Sequence, residues 1–497
     1  MTRTLAAVDL GAQSGRVAVG RFDGSRLSVE EVHRFPNVPV RVRGTLHWDV
    51  LRLYGDVLDG LRAAARDTTL DAVAVDSWAV DFGLLDRAGR LVQNPVHYRD
   101  SRRAAALEAV FACVAPRELY ERTGIQLLPI NTVFELAAMA AESDPVLAAA
   151  DRLLLIPDLF HYWLCGADTT EFTNATTTQC FDARAGAWAT DLLERLDIPA
   201  RLLPEVVDPA TPLGAVADEV GAETGAQGAT VVAAATHDTG SAVAGTPLGG
   251  KRSAFLSVGT WSLVGVESSE AVVGEAAYRA NVTNEGGVAG TFRVLRNLTG
   301  LWLLQECRRT WALAGRDRSL EELVALARQA PPLRSLVDPN DPLFAPPGDM
   351  PARIVDYCKR TGQQPPEDDG ATVRCIFESL ALKHAETVDL VGEVAGRRLD
   401  ELHVVGGGAN NELLCEWTAA AAGRPLYAGP AEATLVGNLL VQAMALGELA
   451  SLDEARDVVR RSFSLTTYEP KSSSAWREAR ERFAALSDAR SEAEART

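Results

Sequence analysis

The sequence has no apolar run that could cross a membrane and no excess of positive charge. A transmembrane helix needs about 20 consecutive apolar residues, and no stretch of the chain approaches that length. The net charge is −18, from 49 basic and 67 acidic residues. Such a surface repels nucleic acid and anionic lipid. We therefore expect neither a nucleic-acid partner nor a membrane partner.

Cysteines at metal-ligand spacing are also missing. The seven cysteines are scattered and form no CxxC pair, so no cysteine metal site is indicated. The first seven residues are too short an apolar run for a secretory signal. These features favour a cytoplasmic protein. Cys358 and Cys375 flank a turn-rich segment, and the sequence leaves open whether they form a disulfide.

The length and the order of apolar patterns predict the fold class. A chain of 497 residues exceeds what one hydrophobic core usually supports, so two large domains with a cleft between them are expected. Strand-like runs such as Ala72 to Val75 and Thr230 to Ala234 alternate with helical patterns such as Ile376 to Val391. This alternation is typical of an α/β protein.

A strand, glycine turn, strand arrangement occurs twice. Leu5 to Leu10 and Val17 to Phe22 flank the first glycine turn, and Ala254 to Val258 and Trp261 to Val266 flank the second. Two hairpins of the same layout suggest that the protein contains two similar halves.

The segment from Gly245 to Gly250 has the glycine and proline content of a hinge. We place the main boundary there. The sequence thus predicts an N-terminal domain over 1–245, a C-terminal domain over 246–465, and a polar helix and tail over 466–497.

The first hairpin resembles an anion-binding turn. Its segment Asp9–Arg16 reads DLGAQSGR, which places a carboxylate at a strand end before backbone amides that can face a phosphate. An ordinary hairpin with one acidic residue is the alternative. The second hairpin, over Ser257–Ser262, favours the phosphate interpretation, because two polar turns can hold a polyphosphate together.

Two glycine-rich segments resemble nucleotide motifs only in part. The stretch from Gly245 to Lys251 nearly matches a Walker A loop, but Arg252 stands where a magnesium-binding hydroxyl belongs. In the segment from Val404 to Asn411, Asn411 replaces the third glycine of a dinucleotide fingerprint. That segment can still bring backbone close to a flat ligand.

Two further strand ends carry candidate site residues. His237 and Asp238 follow the buried run that ends at Ala235, and a carboxylate there can accept a hydroxyl proton. A helix-capping role is the alternative for Asp238. Trp78 and Asp81 follow another strand, and they combine an aromatic ring with a carboxylate, as sugar sites do; a buried structural pair is the alternative.

Together these segments resemble the carbohydrate kinases of the FGGY family, from about Ala7 to about Tyr468. Within that family the motifs are most similar to those of kinases that act on L-rhamnulose. Further segments carry the likeness: Val96–Arg102, Gly124–Thr132, Thr173–Gln179, Asn284–Gly287 and Gly300–Gln305. The resemblance implies two actin-like, ribonuclease-H-like domains that close on ATP and Mg²⁺.

The resemblance also implies roles for individual residues. Asp238 is the expected general base, and Asp9 is expected to orient Mg²⁺ through water. The sugar is expected to contact Trp78, Ala79, Asp81, His237, Thr239 and Asn297. ATP is expected to contact Ala12, Gln13, Ser14, Gly15, Arg16, Thr260, Gln305 and Gly407.

The implied reaction is ATP-dependent phosphorylation of the C1 hydroxyl of L-rhamnulose, in L-rhamnose catabolism. Ala79 stands where these kinases usually have glycine, so another ketose, L-fuculose or a xylulose, stays open. A nucleotide switch like actin or the heat-shock chaperones is the alternative from a different class. The sequence does not determine the oligomeric state.

Overall fold

The computed structural model of the protein describes residues 2–471 and 473–494. Positions 1, 472 and 495–497 of the predicted segments lie outside the described residues. The strands are β1 (Arg3–Leu10), β2 (Ser14–Phe22), β3 (Leu27–Pro36), β4 (Val40–Val42), β5 (Thr45–His47), β6 (Ala72–Ser77), β7 (Phe82–Leu85), β8 (Arg152–Leu155), β9 (Thr169–Glu171), β10 (Phe181–Asp182), β11 (Ala187–Trp188), β12 (Glu205–Val207), β13 (Thr211–Ala215), β14 (Thr230–Ala233), β15 (Ser253–Val258), β16 (Trp261–Ser268), β17 (Thr283–Gly286), β18 (Phe292–Thr299), β19 (Glu401–Val405), β20 (Leu426–Ala428) and β21 (Thr466–Tyr468).

The α-helices follow the same order along the chain. They are α1 (Val50–Ala64), α2 (Arg102–Cys113), α3 (Pro116–Thr123), α4 (Thr132–Ala141), α5 (Pro145–Ala149), α6 (Ile156–Cys165), α7 (Phe172–Ala175), α8 (Thr190–Arg195), α9 (Asp218–Thr224), α10 (Asp238–Ala244), α11 (Glu275–Arg279), α12 (Trp302–Leu313), α13 (Leu320–Gln329), α14 (Met350–Arg360), α15 (Asp369–Val394), α16 (Glu412–Ala422), α17 (Ala433–Ala445), α18 (Leu452–Ser462) and α19 (Ser474–Glu494). Among the described residues, no helix is both long and apolar enough to span a bilayer.

The first compact unit is built on a six-stranded sheet. The unit comprises the chain through Pro247 together with Glu267–Val294 and Glu432–Phe463. The strand order is β13-β14-β6-β1-β2-β3, with β1, β6 and β14 parallel to one another. Successive side chains of a strand point to opposite faces, and both faces of β1 are apolar. Ala6, Val8 and Leu10 pack with α1 and α6, whereas Leu5 and Ala7 pack with α17 and α18.

Helix α17 belongs to the first unit although it follows β20 in sequence. It crosses α10 at small residues, which let the two backbones approach closely. A Cβ atom on Gly437 would stand only 1.8 Å from the carbonyl oxygen of Ser241. A Cβ atom on Gly245 would likewise stand 2.2 Å from the carbonyl oxygen of Ala433. Gly245, predicted as part of a hinge, therefore permits close helix packing. The compact units of the structure are not contiguous in sequence, unlike the predicted segments 1–245, 246–465 and 466–497. Helices α17 and α18 pack on the sheet of the first unit although they follow β20 in sequence.

The second compact unit repeats the strand arrangement of the first. It comprises Leu248–Val266, Leu295–Ala431 and the described residues from Ser464 onward. Strand β15 pairs antiparallel with β16 and parallel with β19, as β1 pairs with β2 and β6. The predicted α/β class with two domains and two glycine-turn hairpins is therefore confirmed. Cys358 and Cys375 are free thiols that hydrogen-bond to each other.

Candidate functional site

Three neighbouring strand ends of the first unit bring acidic residues to one edge of its sheet. Asp9 of β1 lies in register with Asp76 of β6, and Ser77 bridges His237, which follows β14. The amide of Ser77 donates to the carbonyl oxygen of Thr236 over 2.9 Å. Ligands of open α/β sheets bind outside the carboxyl ends of parallel strands. The topology therefore places Asp9 and the His237–Asp238 pair at the edge where such sites form.

Asp76 is the residue of this group that the sequence analysis missed. Its side chain is fully buried and accepts a hydrogen bond from Asn438 Nδ2 over 2.6 Å on Oδ2. No described residue hydrogen-bonds its Oδ1. Burial, reinforced by the charges of Asp9 and Asp238, raises the pKa of Asp76 well above its usual range. The sequence feature that could have identified Asp76 is a single carboxylate at the end of the apolar run of β6.

Asp238 begins helix α10 and keeps a partly open carboxylate. About a third of its side-chain surface, 33%, is exposed. The Thr239 hydroxyl donates to Oδ1 over 3.0 Å, and His237 Nε2 lies 3.4 Å from the same oxygen. Burial raises the pKa of Asp238, and the charge of Asp9 adds to that rise. A carboxylate of raised pKa that solvent can reach is suited to accept a proton.

His237 is held by residues of three other elements, α7, β17 and β18. Its amide donates to Thr173 Oγ1 over 3.2 Å. Its Nδ1 lies 3.0 Å from Arg293 Nη2 and 3.4 Å from Glu285 Oε2. Arg293 is completely buried and pairs with Glu285 over 3.2 Å. Burial lowers the pKa of Arg293, yet a guanidinium stays charged at neutral pH.

Buried Glu171 fixes the segment that leads into His237. Its Oε2 accepts hydrogen bonds from the amide of Thr236 over 2.8 Å and from the hydroxyl of Thr173 over 2.5 Å. The segment is thus tied down from Thr236 to His237 by side-chain acceptors. This fixation sets the position from which Asp238 projects.

The first hairpin turn presents its backbone next to Asp9. The turn closes with the Gly11 amide donating to the Ser14 carbonyl over 3.0 Å, and Asn37 Nδ2 donates to the Gly11 carbonyl over 2.9 Å. Gly15 is packed against Phe35, whose ring a Cβ atom would meet at 2.2 Å. Ala12 and Ser14 are partly exposed and Gln13 is exposed. The turn is therefore packed against Phe35 at Gly15 and open to solvent from Ala12 to Ser14.

Arg16 is already engaged by two carboxylates. Its Nη2 lies 2.7 Å from Asp9 Oδ2, and its Nη1 pairs with Glu432. The two charges raise the pKa of Arg16 despite its partial burial. Arg16 thus holds Asp9 in place and offsets part of the negative charge at the strand ends.

Trp78 and Asp81 form part of a buried aromatic cluster. Asp81 Oδ2 accepts hydrogen bonds from Trp78 Nε1 over 2.9 Å and from Trp48 Nε1 over 2.6 Å. Its Oδ1 accepts from Arg103 Nη2 over 2.5 Å. The two indole rings lie 4.2 Å apart, with half-buried Ala79 beside them in sequence. Asp81 therefore orients the two rings, and its oxygens are occupied by that task.

In the second unit, the turn of the second hairpin contacts the start of α12. The Gly300 amide donates to the Thr260 carbonyl over 3.0 Å, and the Leu301 amide donates to the Gly259 carbonyl over 2.8 Å. The Thr260 hydroxyl and the Gln305 side-chain amide hydrogen-bond over 3.2 Å. This group carries no formal charge.

Gly407 and Asn297 occupy other positions of the second unit. Gly407 follows β19 and would have free space around a Cβ atom, whereas Gly408 is packed on Val258 at the end of β15. Gly406 has a positive φ of 76°, which favours glycine. Thr260 and Gly407 thus follow the adjacent parallel strands β15 and β19. Asn297 lies on β18 and is half-buried.

The acidic strand ends fit a hydrated magnesium ion. Mg²⁺ prefers oxygen ligands and keeps several waters, and Asp9 offers a carboxylate next to the buried Asp76. Among the described residues, no group of three or more His, Cys, Asp or Glu side chains is arranged to hold a metal directly. Binding through water and nucleotide phosphates suits these residues better than a protein cage.

The chain matches two sequence models of known domains. The FGGY family of carbohydrate kinases, N-terminal domain, matches residues 4–245, and the C-terminal domain of that family matches residues 254–446. The chain is 42% identical over 477 residues to a rhamnulokinase of Bacteroides thetaiotaomicron, covering 96% of this chain and 98% of that protein. It is 41% identical over 492 residues to a rhamnulokinase of Pectobacterium carotovorum, covering 98% and 97%.

Solved structures of sugar kinases share the fold at low sequence identity. A gluconate kinase from Lactobacillus acidophilus has a TM-score of 0.81 at 14% identity, covering 99% of this chain and 98% of that one. A glycerol kinase from Plasmodium falciparum, solved with ADP, has a TM-score of 0.78 at 15% identity, with coverage of 99% and 98%.

Proposed function

Because the chain belongs to the FGGY family of carbohydrate kinases, we propose that it transfers the γ-phosphoryl group of ATP to the C1 hydroxyl of L-rhamnulose. The products are L-rhamnulose 1-phosphate and ADP. The observation that carries the proposal is the placement of Asp9 and the His237–Asp238 pair at the ends of the two strands that flank β6. The likeness to rhamnulokinases over nearly the whole chain supports the choice of sugar.

Asp238 is the general base of the proposed reaction. Its Oδ1 faces the Thr239 hydroxyl and His237 Nε2, so these two donors do not compete for Oδ2. Oδ2 takes the proton of the C1 hydroxyl while that oxygen attacks the γ-phosphorus in line and ADP leaves. Proton transfer of this kind typically contributes about 10²- to 10⁴-fold in rate.

The sugar is held mainly by residues of the first unit in this proposal. Trp78, Ala79, His237 and Thr239 contact it, joined by Asn297. Asp81 acts through the indoles, since its oxygens already accept from Trp48, Trp78 and Arg103. An aromatic surface held by a buried carboxylate suits the C–H face of a sugar ring or chain.

The nucleotide is held by backbone and uncharged side chains. The turn from Ala12 to Arg16 and the Thr260 hydroxyl bind phosphates, while Gln305 and Gly407 contact the rest of ATP. Asp9, fixed by Arg16, orients hydrated Mg²⁺. When bound, Mg²⁺ offsets negative charge on the phosphoryl group that is transferred.

Two broader expectations belong to the same proposal. The 1–245 segment carries the base and most sugar contacts, and the 246–465 segment is the ATP-binding domain with Thr260, Gln305 and Gly407. The enzyme works in the cytoplasm, which contains ATP and keeps cysteine thiols such as those of this chain reduced.

The test is ADP release with Mg-ATP and one sugar at a time. L-rhamnulose, L-fuculose, L-xylulose, D-xylulose, glycerol and a sugar-free blank are compared, and phosphorus NMR identifies the phosphorylated carbon. We expect ADP release that depends on L-rhamnulose and a product phosphorylated at C1. Preference for another ketose would overturn the substrate and keep the chemistry. Equal ADP release with and without sugar would overturn the kinase proposal in favour of a nucleotide switch.

A further inference from the structure

Arg293 faces the imidazole of His237 on the side away from Asp238. Its Nη2 lies 3.0 Å from His237 Nδ1, while His237 Nε2 lies 3.4 Å from Asp238 Oδ1. The ring thus stands between a buried guanidinium and the carboxylate assigned as the base. Glu285 lies in the segment Asn284–Gly287 that carries the family likeness, but the sequence assigns neither it nor Arg293 to the site, because each is far from His237 along the chain.

The chemistry of arginine determines which ring nitrogen carries the proton. A guanidinium has only donors and no acceptor. Arg293 Nη2 therefore donates to Nδ1, and Nδ1 must be unprotonated to accept. The neutral ring then carries its proton on Nε2, which points towards Asp238.

Glu285 is the group that would favour the other tautomer. Its Oε2 lies 3.4 Å from the same Nδ1 and could accept a proton from it. Arg293 is nearer to Nδ1 and also neutralises Glu285 through the 3.2 Å contact of Nη1. The guanidinium thus donates to Nδ1 and also pairs with Glu285, the carboxylate that would otherwise accept a proton from Nδ1.

Arg293 is itself held rigidly. Its Nε donates to the carbonyl oxygen of Gly286 over 2.8 Å, and its side chain has no exposed surface. The backbone of His237 is fixed separately by Thr173 Oγ1. A ring fixed at its backbone and at Nδ1 has one orientation in which Nε2 faces Asp238.

We infer that Arg293 is a positioning residue that holds His237 in the Nε2-protonated tautomer, so that its N–H faces Asp238 and the sugar. This inference rests on the proposed function of Asp238 and extends it to a residue that does not touch the substrate. His237 can then donate a hydrogen bond to the carboxylate or to a sugar hydroxyl, and Asp238 Oδ2 stays available for the proton.

The test is nitrogen-15 NMR of histidine-labelled protein, recorded with ADP and without turnover. The chain has seven histidines, and His237→Gln identifies the signals of His237. We expect the wild-type ring to show a protonated Nε2 and an unprotonated Nδ1. In Arg293→Met we expect the proton to move to Nδ1, towards Glu285. We also expect kcat to fall about 10- to 100-fold, the range for a lost charged hydrogen bond, with KM for ATP unchanged.

Two further variants and a control separate positioning from general damage. Arg293→Lys keeps a buried cation and donor, so it should retain the Nε2-protonated ring and recover part of kcat. The double variant Arg293→Met, Glu285→Leu removes both buried charges and also the acceptor that would draw the proton to Nδ1, so its ring should keep the proton on Nε2. Arg456 forms a matched buried pair with Glu267, at 2.9 Å on both nitrogens, without contacting His237. Arg456→Met should leave the tautomer and kcat unchanged.

The inference is overturned if the wild-type ring carries its proton on Nδ1, or if Arg293→Met keeps a neutral ring protonated on Nε2 alone. It is equally overturned if the tautomer changes and kcat does not. Failure of the proposed function would appear differently, as wild-type protein without sugar-dependent ADP release. The NMR result would then still report the tautomer, because it is read without turnover.

Discussion

The two glycine-turn hairpins have the same backbone arrangement and different surroundings. The first turn follows Asp9 of β1, which pairs with β6, the strand of Asp76; β14, which leads to Asp238, pairs with the other side of β6. The second turn contacts α12 through the uncharged Thr260 and Gln305. A repeated frame thus carries a group of carboxylates at one strand edge and the uncharged Thr260 and Gln305 at the other. In the proposed function, proton transfer belongs to the first edge and uncharged nucleotide contact to the second.

The largest expected effect comes from removing the base at the first edge. Asp238→Asn keeps the shape of the side chain but cannot take a proton, so kcat should fall about 10²- to 10⁴-fold. ADP affinity, measured by calorimetry, should change little. The exposed Asp67→Asn is the matched control and should keep normal turnover. Near-normal turnover of Asp238→Asn would contradict the assignment of Asp238 as the base and of proton transfer to the first edge.

A large loss of stability is expected from the buried ion network behind Trp78. Arg103 pairs with Asp81 at 2.5 Å and with Glu135 at 3.0 Å, and all three are buried. Glu135 also pairs with Arg102, so Arg103→Met leaves buried Asp81 without a cation and should cost about 3–5 kcal/mol in the free energy of unfolding. Urea unfolding measures this. Arg21 pairs with Glu30 on the surface, so Arg21→Met should cost at most about 1 kcal/mol. Equal losses would contradict a special role for the buried network.

A smaller effect is expected at the second edge. Thr260→Val removes a hydroxyl that hydrogen-bonds Gln305, and one net hydrogen bond is worth about 0.5–1.5 kcal/mol. KM for ATP should therefore rise by about 3- to 10-fold while kcat changes little. Thr310, which bonds the Gly348 carbonyl over 3.1 Å in the same unit, provides the control Thr310→Val. A fall in kcat with unchanged KM would contradict the division of roles.

The smallest expected effect is a shift in pH dependence. Activity needs the deprotonated Asp238, whose pKa lies above its ordinary value of about 3.9, so kcat/KM should fall as pH drops through that raised pKa. The Thr239 hydroxyl lowers this pKa by donating to Oδ1. Thr239→Val should therefore move the acid limb to higher pH. Thr246→Val, which loses only a bond to the Ala242 carbonyl, should leave the limb in place; an unmoved limb in Thr239→Val would contradict the assignment.

Local sequence patterns were sufficient for much of the fold. The predicted run Ala72 to Val75 lies in β6 and the predicted run Thr230 to Ala234 contains β14, because apolar β-branched runs between turn residues favour strands. The predicted helical pattern from Ile376 to Val391 lies in α15, where the side chain of Asp368 caps the helix by accepting from the Ala371 amide. Periodicity and capping are local properties, so they can be seen without the fold.

Long-range partners were outside the reach of those patterns. Asn438 hydrogen-bonds Asp76 across 362 positions of sequence, and no spacing rule connects them. The sequence predicts a sugar contact for Asp81 but does not reveal that its oxygens accept hydrogen bonds from Trp48, Trp78 and Arg103. Nothing in the sequence indicates that Trp48 contacts Asp81, because an isolated tryptophan before a helix is usually a core residue.

The sequence by itself determined the α/β class, the two hairpins, and the strand ends that carry Asp9, Trp78 and Asp238, since each depends on neighbouring residues. Only the tertiary structure decided which of these strand ends are adjacent and which buried groups hold their side chains. The physical reason is that strand order, and the burial of Arg293 behind His237, depend on packing between elements far apart in the chain. Those contacts set tautomers and pKa values, and the local sequence does not contain them.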